Sequence, residues 1–229
     1  MPDKVIPYYI RTPSESDGLI KSMILPDCTT RTIVIGLDCE WNYSVGSSPR
    51  KVAIIQIAYK VLMYIIGHYF IISIHQYNYI PPSLIDLLKS PQVLKTGRNV
   101  TGDLNKLKRD YGLSYCPGTA LELGSFCRKR GYIDNGTASL SEIAESVLGS
   151  KLKKQNRDSN WEAQDLSSPQ LYYAALDAWV SLAIYTKLAN VRTIGKLVQN
   201  RASKEAFVSV YPSDQCSYPV AFGVVISHQ

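Results

Sequence analysis

The sequence predicts an α/β domain in which helices flank a mixed β-sheet, with a β-hairpin appended at the C-terminal end. Three observations lead to this fold class. Apolar, β-branched runs dominate the region after residue 30, short apolar runs then alternate with amphipathic segments, and two further β-rich runs end the chain. Strands that come first and then alternate with helices favour a mixed sheet covered by helices.

The N-terminal part supplies four of the six strands predicted for the main sheet. Residues 1–30 mix proline, serine and charge without an apolar period, so we expect a surface lead-in ahead of a domain spanning residues 31–190. The β-branched run at residues 32–38 predicts a buried strand. Three further runs are expected to continue it as an antiparallel meander: residues 51–59, 61–66 and 69–74.

Helices and short strands are then expected to alternate. Strands are predicted at residues 93–96 and 119–122, and helices at residues 83–88, 102–111, 139–148 and around the basic run 128–130. Ser167 and Gln170 form a capping-box pattern that predicts a long helix ending at Leu188. In a C-terminal extension, residues 191–229, the runs 206–211 and 219–226 flank a turn-rich stretch and predict the hairpin.

Composition narrows the class of protein. The chain has 229 residues, of which 45% are hydrophobic and 19% charged, as expected of a globular domain with its own core. A net charge of +6 is compatible with a polyanionic partner. Five scattered cysteines without CxxC spacing indicate neither a zinc site nor a disulfide framework. With no signal-peptide pattern and no apolar run of membrane-spanning length, we expect a nuclear or cytoplasmic protein that is neither secreted nor membrane-bound.

Asp38 and Glu40 form the first chemical signal, at the end of the first long strand. Residues i and i+2 of a strand point to one side, so both carboxylates face the same way. Crowded carboxylates resist ionisation unless a cation lies between them, and hard oxygen ligands suit Mg²⁺ or Mn²⁺. The spacing alone is weak evidence, because Glu15 and Asp17 share it in a polar stretch to which we assign no function.

Two further signals lie later in the chain. Asp103 opens the helix that follows the strand at residues 93–96. The alternative is that this aspartate only caps the helix or stabilises its positive end. Tyr173 and Asp177 are four residues apart on the long helix, which stacks them on one face. The alternative is an amphipathic helix with a packed tyrosine and a solvated aspartate.

Taken in order, these three motifs resemble the DEDD exonuclease superfamily, in its tyrosine-bearing branch. The sister branch places a histidine five residues before the last aspartate, and that position is Tyr172 here. The segments 157–161 and 166–178 are similar to the Werner-type exonuclease domain and its relative ribonuclease D. The resemblance extends from residue 32 to residue 188. Its matching stretches are residues 35–41, 51–57, 97–103 and 173–177.

The resemblance implies a ribonuclease H-like fold and hydrolysis of phosphodiester bonds from the 3′ end, releasing 5′-mononucleotides. It also implies two divalent ions as cofactors, Mg²⁺ or Mn²⁺. Asp38, Glu40 and Asp177 would hold the ion that binds the attacking water, with Asp38 bridging to the second ion. Asp103 would support that second ion mainly through water, and Tyr173 would orient the attacking water.

Substrate contacts are expected around these motifs. Trp41 could pack beside the terminal base, although a core tryptophan is an equal alternative, and Asn99 could hydrogen-bond sugar or phosphate. Arg157 suits phosphate bidentately, and Trp161 belongs to the same matching stretch. Further basic residues could extend a track for the strand: Lys106, Arg109 and the run 128–130.

The expected partner is the 3′ end of a nucleic acid. The Werner-type stretch favours DNA, and RNA trimming is the alternative because ribonuclease D shares nearly the same motifs. A domain of this fold that binds nucleic acid without cutting it is a further alternative. Such a module would be expected to have lost at least one acid, whereas this chain keeps all four and the tyrosine.

Overall fold

The computed structural model describes residues 7–25, 32–43, 50–60, 67–152, 159–191, 193, 207–210 and 221–224. The strands are β1 (Tyr8–Ile10), β2 (Ile33–Glu40), β3 (Ile54–Lys60), β4 (Gly67–Ser73), β5 (Val93–Gly97), β6 (Ala120–Glu122), β7 (Phe207–Val210) and β8 (Ala221–Val224). The helices are α1 (Pro13–Met23), α2 (Pro82–Lys89), α3 (Val100–Tyr111), α4 (Leu123–Arg128), α5 (Leu140–Leu148) and α6 (Ser168–Leu188).

Six strands form one mixed sheet, as the sequence predicts. Their order is β1-β4-β3-β2-β5-β6. The pairs β2–β3 and β3–β4 are antiparallel, whereas β1–β4, β2–β5 and β5–β6 are parallel. The meander therefore occupies the centre of the sheet, and the parallel crossovers through helices extend it on the β5 side.

The alternation of side chains along β2 divides the core into two layers. Ile33, Ile35, Leu37 and Cys39 are buried on the face covered by α1, α2 and α3. The residues between them face α6, which packs its small alanines against the sheet. Because strand side chains alternate with a period of two, Asp38 and Glu40 belong to the α6 face. A third apolar cluster joins α6 to α4 and α5.

Residues 7–25 belong to the domain, so the expectation of a surface lead-in is wrong for this part of residues 1–30, and the remainder lies outside the described residues. β1 pairs with β4, and Ile10, Ile20 and Ile24 are buried in the main core. The Asp17 carboxylate accepts a hydrogen bond from the backbone N–H of Ser83 at 2.9 Å, which ties α1 to the start of α2. β1 is too short to show an apolar period in the sequence. The capping box of Thr12 and Glu15 is the sequence signal that indicates α1.

The C-terminal strands form the predicted hairpin pairing. β7 and β8 are antiparallel, with Phe207 opposite Val224 and Val210 opposite Ala221, and they make up a separate two-stranded sheet. The strand expected at residues 61–66 lies outside the described residues. None of the helices in the described ranges combines the length and the apolar character that crossing a membrane requires.

Candidate active site

Two parallel strands bring three of the acids to one edge of the sheet. β2 and β5 run in the same direction, with Ile33 opposite Val93, so their carboxyl ends meet at this edge. β2 ends in Asp38 and Glu40, and α3 begins shortly after β5 with Asp103 in its first turn. The carboxyl ends of parallel strands are where ligand sites of open α/β sheets lie.

A close contact between α6 and β2 adds the fourth acid. A Cβ atom placed on Gly36 would lie 2.0 Å from the carbonyl oxygen of Ala178. Only glycine therefore allows the helix backbone to approach the strand at this point. Asp177 precedes the contacting residue on α6, so the same approach brings its carboxylate to the end of β2.

The carboxylates cluster as the sequence predicts. One oxygen atom from each of Asp38, Glu40 and Asp177 lies within 4.8 Å of the other two. Asp103 is close enough for its charge to act on Asp38. The structure thus brings all four predicted acids to one place.

Burial and mutual repulsion disfavour the charged forms of these acids. The pKa of Asp38 is raised well above its usual value, first by burial and then by the negative charges of Asp103, Glu40 and Asp177. Burial, followed by the charge of Glu122, raises the pKa of Asp103 to about 8. A bound cation would offset both the burial and the mutual repulsion of these carboxylates, so the site is suited to one.

The donor set fits hard divalent ions. The Oδ2 atom of Asp103 is buried and has no hydrogen-bond partner among the described residues. A buried acceptor without a partner is rare, and it points to a group that binds there. Carboxylate oxygens are the ligands that Mg²⁺ and Mn²⁺ prefer, so the acids present fit a divalent-metal site.

Tyr173 lies beside the acids on the same helix face as Asp177. Its side chain hydrogen-bonds the Asp177 carboxylate. Burial raises its pKa most, and the negative charges of Asp177, Glu40 and Asp38 raise it further. The phenol therefore keeps its proton throughout the neutral pH range and is a hydrogen-bond donor at the site.

Trp161 supports Tyr173 and does not face the cleft. Its side chain is fully buried, and the two ring centroids lie 6.0 Å apart at an interplanar angle of 32°. The expectation that Trp161 contacts substrate is therefore corrected, because a ring with no exposed surface cannot reach a ligand. It packs in the core layer beneath α6 instead.

The acids and Tyr173 line a cleft of about 450 Å³. The cleft wall includes Trp41 and Asn99, two of the predicted substrate-binding residues. Asn99 takes the left-handed conformation (φ 65°) at the start of α3, and its backbone N–H donates to Glu122 Oε1 at 2.9 Å. Among the described residues, the cleft is also lined by Cys39, Tyr43, Arg98, Ser139, Leu140, Ser141 and Leu152.

The predicted basic track is only partly present in the structure. Lys106 is buried, where its Nζ atom lies 2.9 Å from Asp110 and 4.9 Å from the centroid of the Trp41 ring. This lysine therefore fixes Trp41 and does not contact phosphate, contrary to expectation. Arg109 is exposed, and Arg157 lies outside the described residues.

An asparagine that the sequence did not single out joins the end of the first motif to the segment that precedes α6. Asn42 Oδ1 accepts a hydrogen bond from the Trp161 backbone N–H at 2.8 Å, and Asn42 Nδ2 donates to Asn160 Oδ1 at 2.8 Å. Gln170, at the start of α6, donates to the Asn160 carbonyl oxygen at 3.1 Å. No pattern in the sequence pairs residues this far apart.

Arg98 is the second residue that sequence reasoning missed. Its Nε atom donates to the carbonyl oxygen of Ala138 at 2.6 Å, and Nη1 donates to Glu122 Oε1 at 2.9 Å. The available signal was an arginine between the end of β5 and Asn99, inside the second motif.

Comparisons with known proteins agree with this geometry. A family model described as 3′-5′ exonuclease matches residues 10–192. Exonuclease 3′-5′ domain-containing protein 2 of Drosophila melanogaster is 36% identical over 157 residues, which are 68% of this chain and 25% of that protein. The bifunctional 3′-5′ exonuclease/ATP-dependent helicase WRN of Mus musculus is 33% identical over 162 residues, 69% of this chain and 11% of that protein.

A solved structure shares the fold. RNase D of Escherichia coli, described as an exoribonuclease involved in structured RNA processing, superposes with a TM-score of 0.63 at 20% identity, covering 81% of this chain and 44% of that one. The expected ribonuclease H-like fold is thereby confirmed. The chain spans about a quarter (25%) of the length of the Drosophila melanogaster relative. Since the family model spans residues 10–192 of 229, the chain belongs to the 3′-5′ exonuclease family.

Proposed function

We propose that the chain removes nucleotides one at a time from the 3′ end of a DNA strand, releasing 5′-mononucleotides with the help of two divalent metal ions. One observation carries the proposal. Oxygen atoms of Asp38, Glu40 and Asp177 lie within 4.8 Å of one another at the cleft. The buried, unpartnered Oδ2 of Asp103 belongs to the same group of acids.

The four carboxylates would hold the ions. When bound, two Mg²⁺ or Mn²⁺ ions stabilise the entering and the leaving oxygen of an in-line displacement at phosphorus. Asp38 is repelled by the charges of all three other acids, so it would gain most from the cations. Glu40, Asp177 and Asp103 would supply the other carboxylate ligands.

Tyr173 would orient the attacking water. Its raised pKa keeps the proton on Oη, which donates it to Asp177, so the hydroxyl oxygen would accept a hydrogen bond from the water and fix its position. The Trp161 ring beneath it and its bond to Asp177 limit the directions that the hydroxyl can take. Positioning of this kind lowers the entropic barrier of a displacement.

The cleft has room for one terminal nucleotide. Its volume of about 450 Å³ falls within the range of small-ligand sites, roughly 300–1,000 Å³. Trp41 lines the cleft next to Glu40 and offers an aromatic surface to the base. The charge of Lys106 over its ring helps to hold it there.

The preference for DNA rests on the resemblance of residues 157–161 and 166–178 to the Werner-type exonuclease domain, and the WRN protein is a relative at 33% identity. RNA is kept as the competing substrate because ribonuclease D shares nearly the same motifs. The likeness to the solved RNase D structure concerns the fold alone. Matched 3′-recessed DNA and RNA strands, digested in Mg²⁺, distinguish the two. Faster loss of the RNA strand would reverse the preference.

Digestion of a 5′-end-labelled oligonucleotide, with Mg²⁺, with Mn²⁺ and with EDTA, tests the activity itself. We expect metal-dependent release of mononucleotides that is abolished in Asp38→Ala and in Asp177→Asn. The matched control is Asp86→Asn, which changes an exposed acid on α2 and should leave the rate unchanged. Activity that persists in Asp38→Ala would contradict the proposed site, and binding without any cleavage would favour a non-catalytic module.

A further inference from the structure

We propose that Arg98 binds a phosphate group of the nucleic-acid strand in the active-site cleft. The inference rests on the proposed function, and it adds a substrate-binding residue to that site. Arg98 lies between β5 and the start of α3, on the cleft wall that also carries Asp103. Of the described residues that line the cleft, it is the only one with a positive charge.

The guanidinium is held in a fixed orientation. Nε donates to the Ala138 carbonyl oxygen at 2.6 Å, and Nη1 donates to Glu122 Oε1 at 2.9 Å. A guanidinium has five N–H donors in a planar fork, and these two bonds use two of them. The side chain keeps 24% of its surface exposed, so a ligand in the cleft can reach it.

The Glu122 carboxylate accepts a hydrogen bond from the local backbone as well as from Arg98. Its Oε1 atom also accepts the backbone N–H of Asn99 at 2.9 Å. The same carboxylate therefore fixes the turn at the start of α3 and aims the neighbouring guanidinium. A partly exposed ion pair contributes only about 0–1 kcal/mol to stability, which makes a purely stabilising role a weak explanation for Arg98.

The N-terminus of α5, which also lies at the cleft, does not supply a positive charge for a phosphate group. Glu142 already occupies it, since its Oε2 accepts hydrogen bonds from the Ser139 backbone N–H at 2.6 Å and from the Ser139 hydroxyl at 2.7 Å. A carboxylate at a helix N-terminus offsets the positive end of the helix dipole. Arg98 is thus the cation that this wall of the cleft presents to a ligand.

The charge balance of the cleft explains why a nucleic-acid strand would need Arg98. Four carboxylates line the site and repel a polyanion. Bound metal ions would offset this repulsion at the scissile phosphate, and a cation of the protein would offset it at a neighbouring phosphate. Arginine suits this task because its planar fork matches two phosphate oxygens.

Salt-dependent binding of a single-stranded oligonucleotide tests the proposal, in an Asp177→Asn background that prevents turnover. Each phosphate contact to a single strand contributes about 0.7 to the slope of log K against log salt concentration, measured from about 50 to about 200 mM. We expect Arg98→Gln to reduce that slope by about 0.7 and the affinity by about tenfold. Arg98→Lys, which keeps the charge, should keep the slope.

Two control variants separate this contact from general effects. Lys21→Gln removes an exposed charge on α1 and Lys89→Gln one on α2, and neither residue lines the cleft. Both should retain the wild-type slope. Arg98→Gln with a lowered melting temperature and an unchanged slope would show a structural role only and overturn the proposal.

A second measurement does not depend on how the variant folds. In the Asp177→Asn protein with Arg98 intact, oligonucleotides that carry one neutral methylphosphonate linkage at successive positions should reveal one position where affinity falls as in Arg98→Gln. No such position would overturn the phosphate contact while leaving the exonuclease proposal intact. A wild-type chain that does not bind the oligonucleotide at all would overturn both proposals.

Discussion

Gly36 and Ala178 place the backbones of β2 and α6 in direct contact: a Cβ atom on Gly36 would meet the Ala178 carbonyl oxygen at 2.0 Å. Asp38 follows this contact by two residues on the strand, and Asp177 precedes it by one on the helix. The separation between these two carboxylates is therefore set by how closely the two backbones pack.

Gly36→Ala should damage both the fold and the metal site. The added methyl group forces α6 away from β2, and overpacking of this kind costs about 1–3 kcal/mol. We expect weaker Mn²⁺ binding and a lower hydrolysis rate, measured by calorimetric titration and by oligonucleotide digestion. Gly18→Ala is the control, because nothing lies within 4 Å of its added Cβ. Unchanged Mn²⁺ affinity in Gly36→Ala would contradict this account.

Tyr173→Phe should slow hydrolysis while leaving substrate affinity nearly unchanged. The hydroxyl is lost, but the ring that packs on Trp161 remains, so the fold is preserved. We expect a decrease in kcat of about 100-fold, the size of effect that misplacing a reacting group by about 1 Å has. Single-turnover kinetics and binding measured in EDTA separate the two quantities. A wild-type kcat would exclude a water-orienting role.

The metal-free chain should lose stability as the pH rises from about 4 to about 8. Burial raises the pKa of Asp103 to about 8 from an ordinary value of 3.8, so in this window the folded chain binds more protons than the unfolded chain. The free energy of unfolding then falls with rising pH. Thermal unfolding in EDTA checks this, and Asp103→Asn should flatten the pH dependence.

Divalent ions should reverse this loss. Because they bind the ionised carboxylates, the increase in melting temperature on adding Mg²⁺ or Mn²⁺ should grow across the same pH range. An increase that is equal at both ends of the range would indicate that the ions bind elsewhere.

Asn42→Ala should loosen the segment that supports Tyr173. The backbone N–H of Trp161 would lose its partner at 2.8 Å, and an unpaired buried donor costs about 1–3 kcal/mol. We expect faster hydrogen exchange of the Trp161 amide, a lower free energy of unfolding and a reduced kcat. Asn105→Ala, which removes an exposed bond to Tyr115, serves as the control. An unchanged exchange rate at Trp161 would show that the Asn42 bond is dispensable.

Local periodicity explains why the acids could be predicted from the sequence. Asp38 and Glu40 share a face because strands repeat every two residues, and Tyr173 and Asp177 share one because helices repeat every 3.6. Short-range rules of this kind depend only on neighbouring residues. The start of α3 was placed two residues late, because the left-handed Asn99 that precedes it leaves no pattern in the sequence.

Contacts between distant segments could not be predicted in the same way. Trp161 is expected to meet substrate from the family resemblance and Lys106 from its charge, yet both are buried by partners that lie far away in the chain. Arg98 depends on Ala138, 40 residues away, for its orientation. A side chain's exposure is decided by the assembled core, and residue type gives only a weak indication of it.

The pairing of β1 with β4 has a practical consequence for anyone who shortens the chain. Tyr8, Tyr9 and Ile10 cover the hydrogen-bonding edge of β4 from Phe70 to Ile72. A version that starts after this strand would present an open, apolar sheet edge to other molecules, which is a common route to aggregation. Expression trials built on residues 31–190 alone are therefore expected to yield insoluble protein.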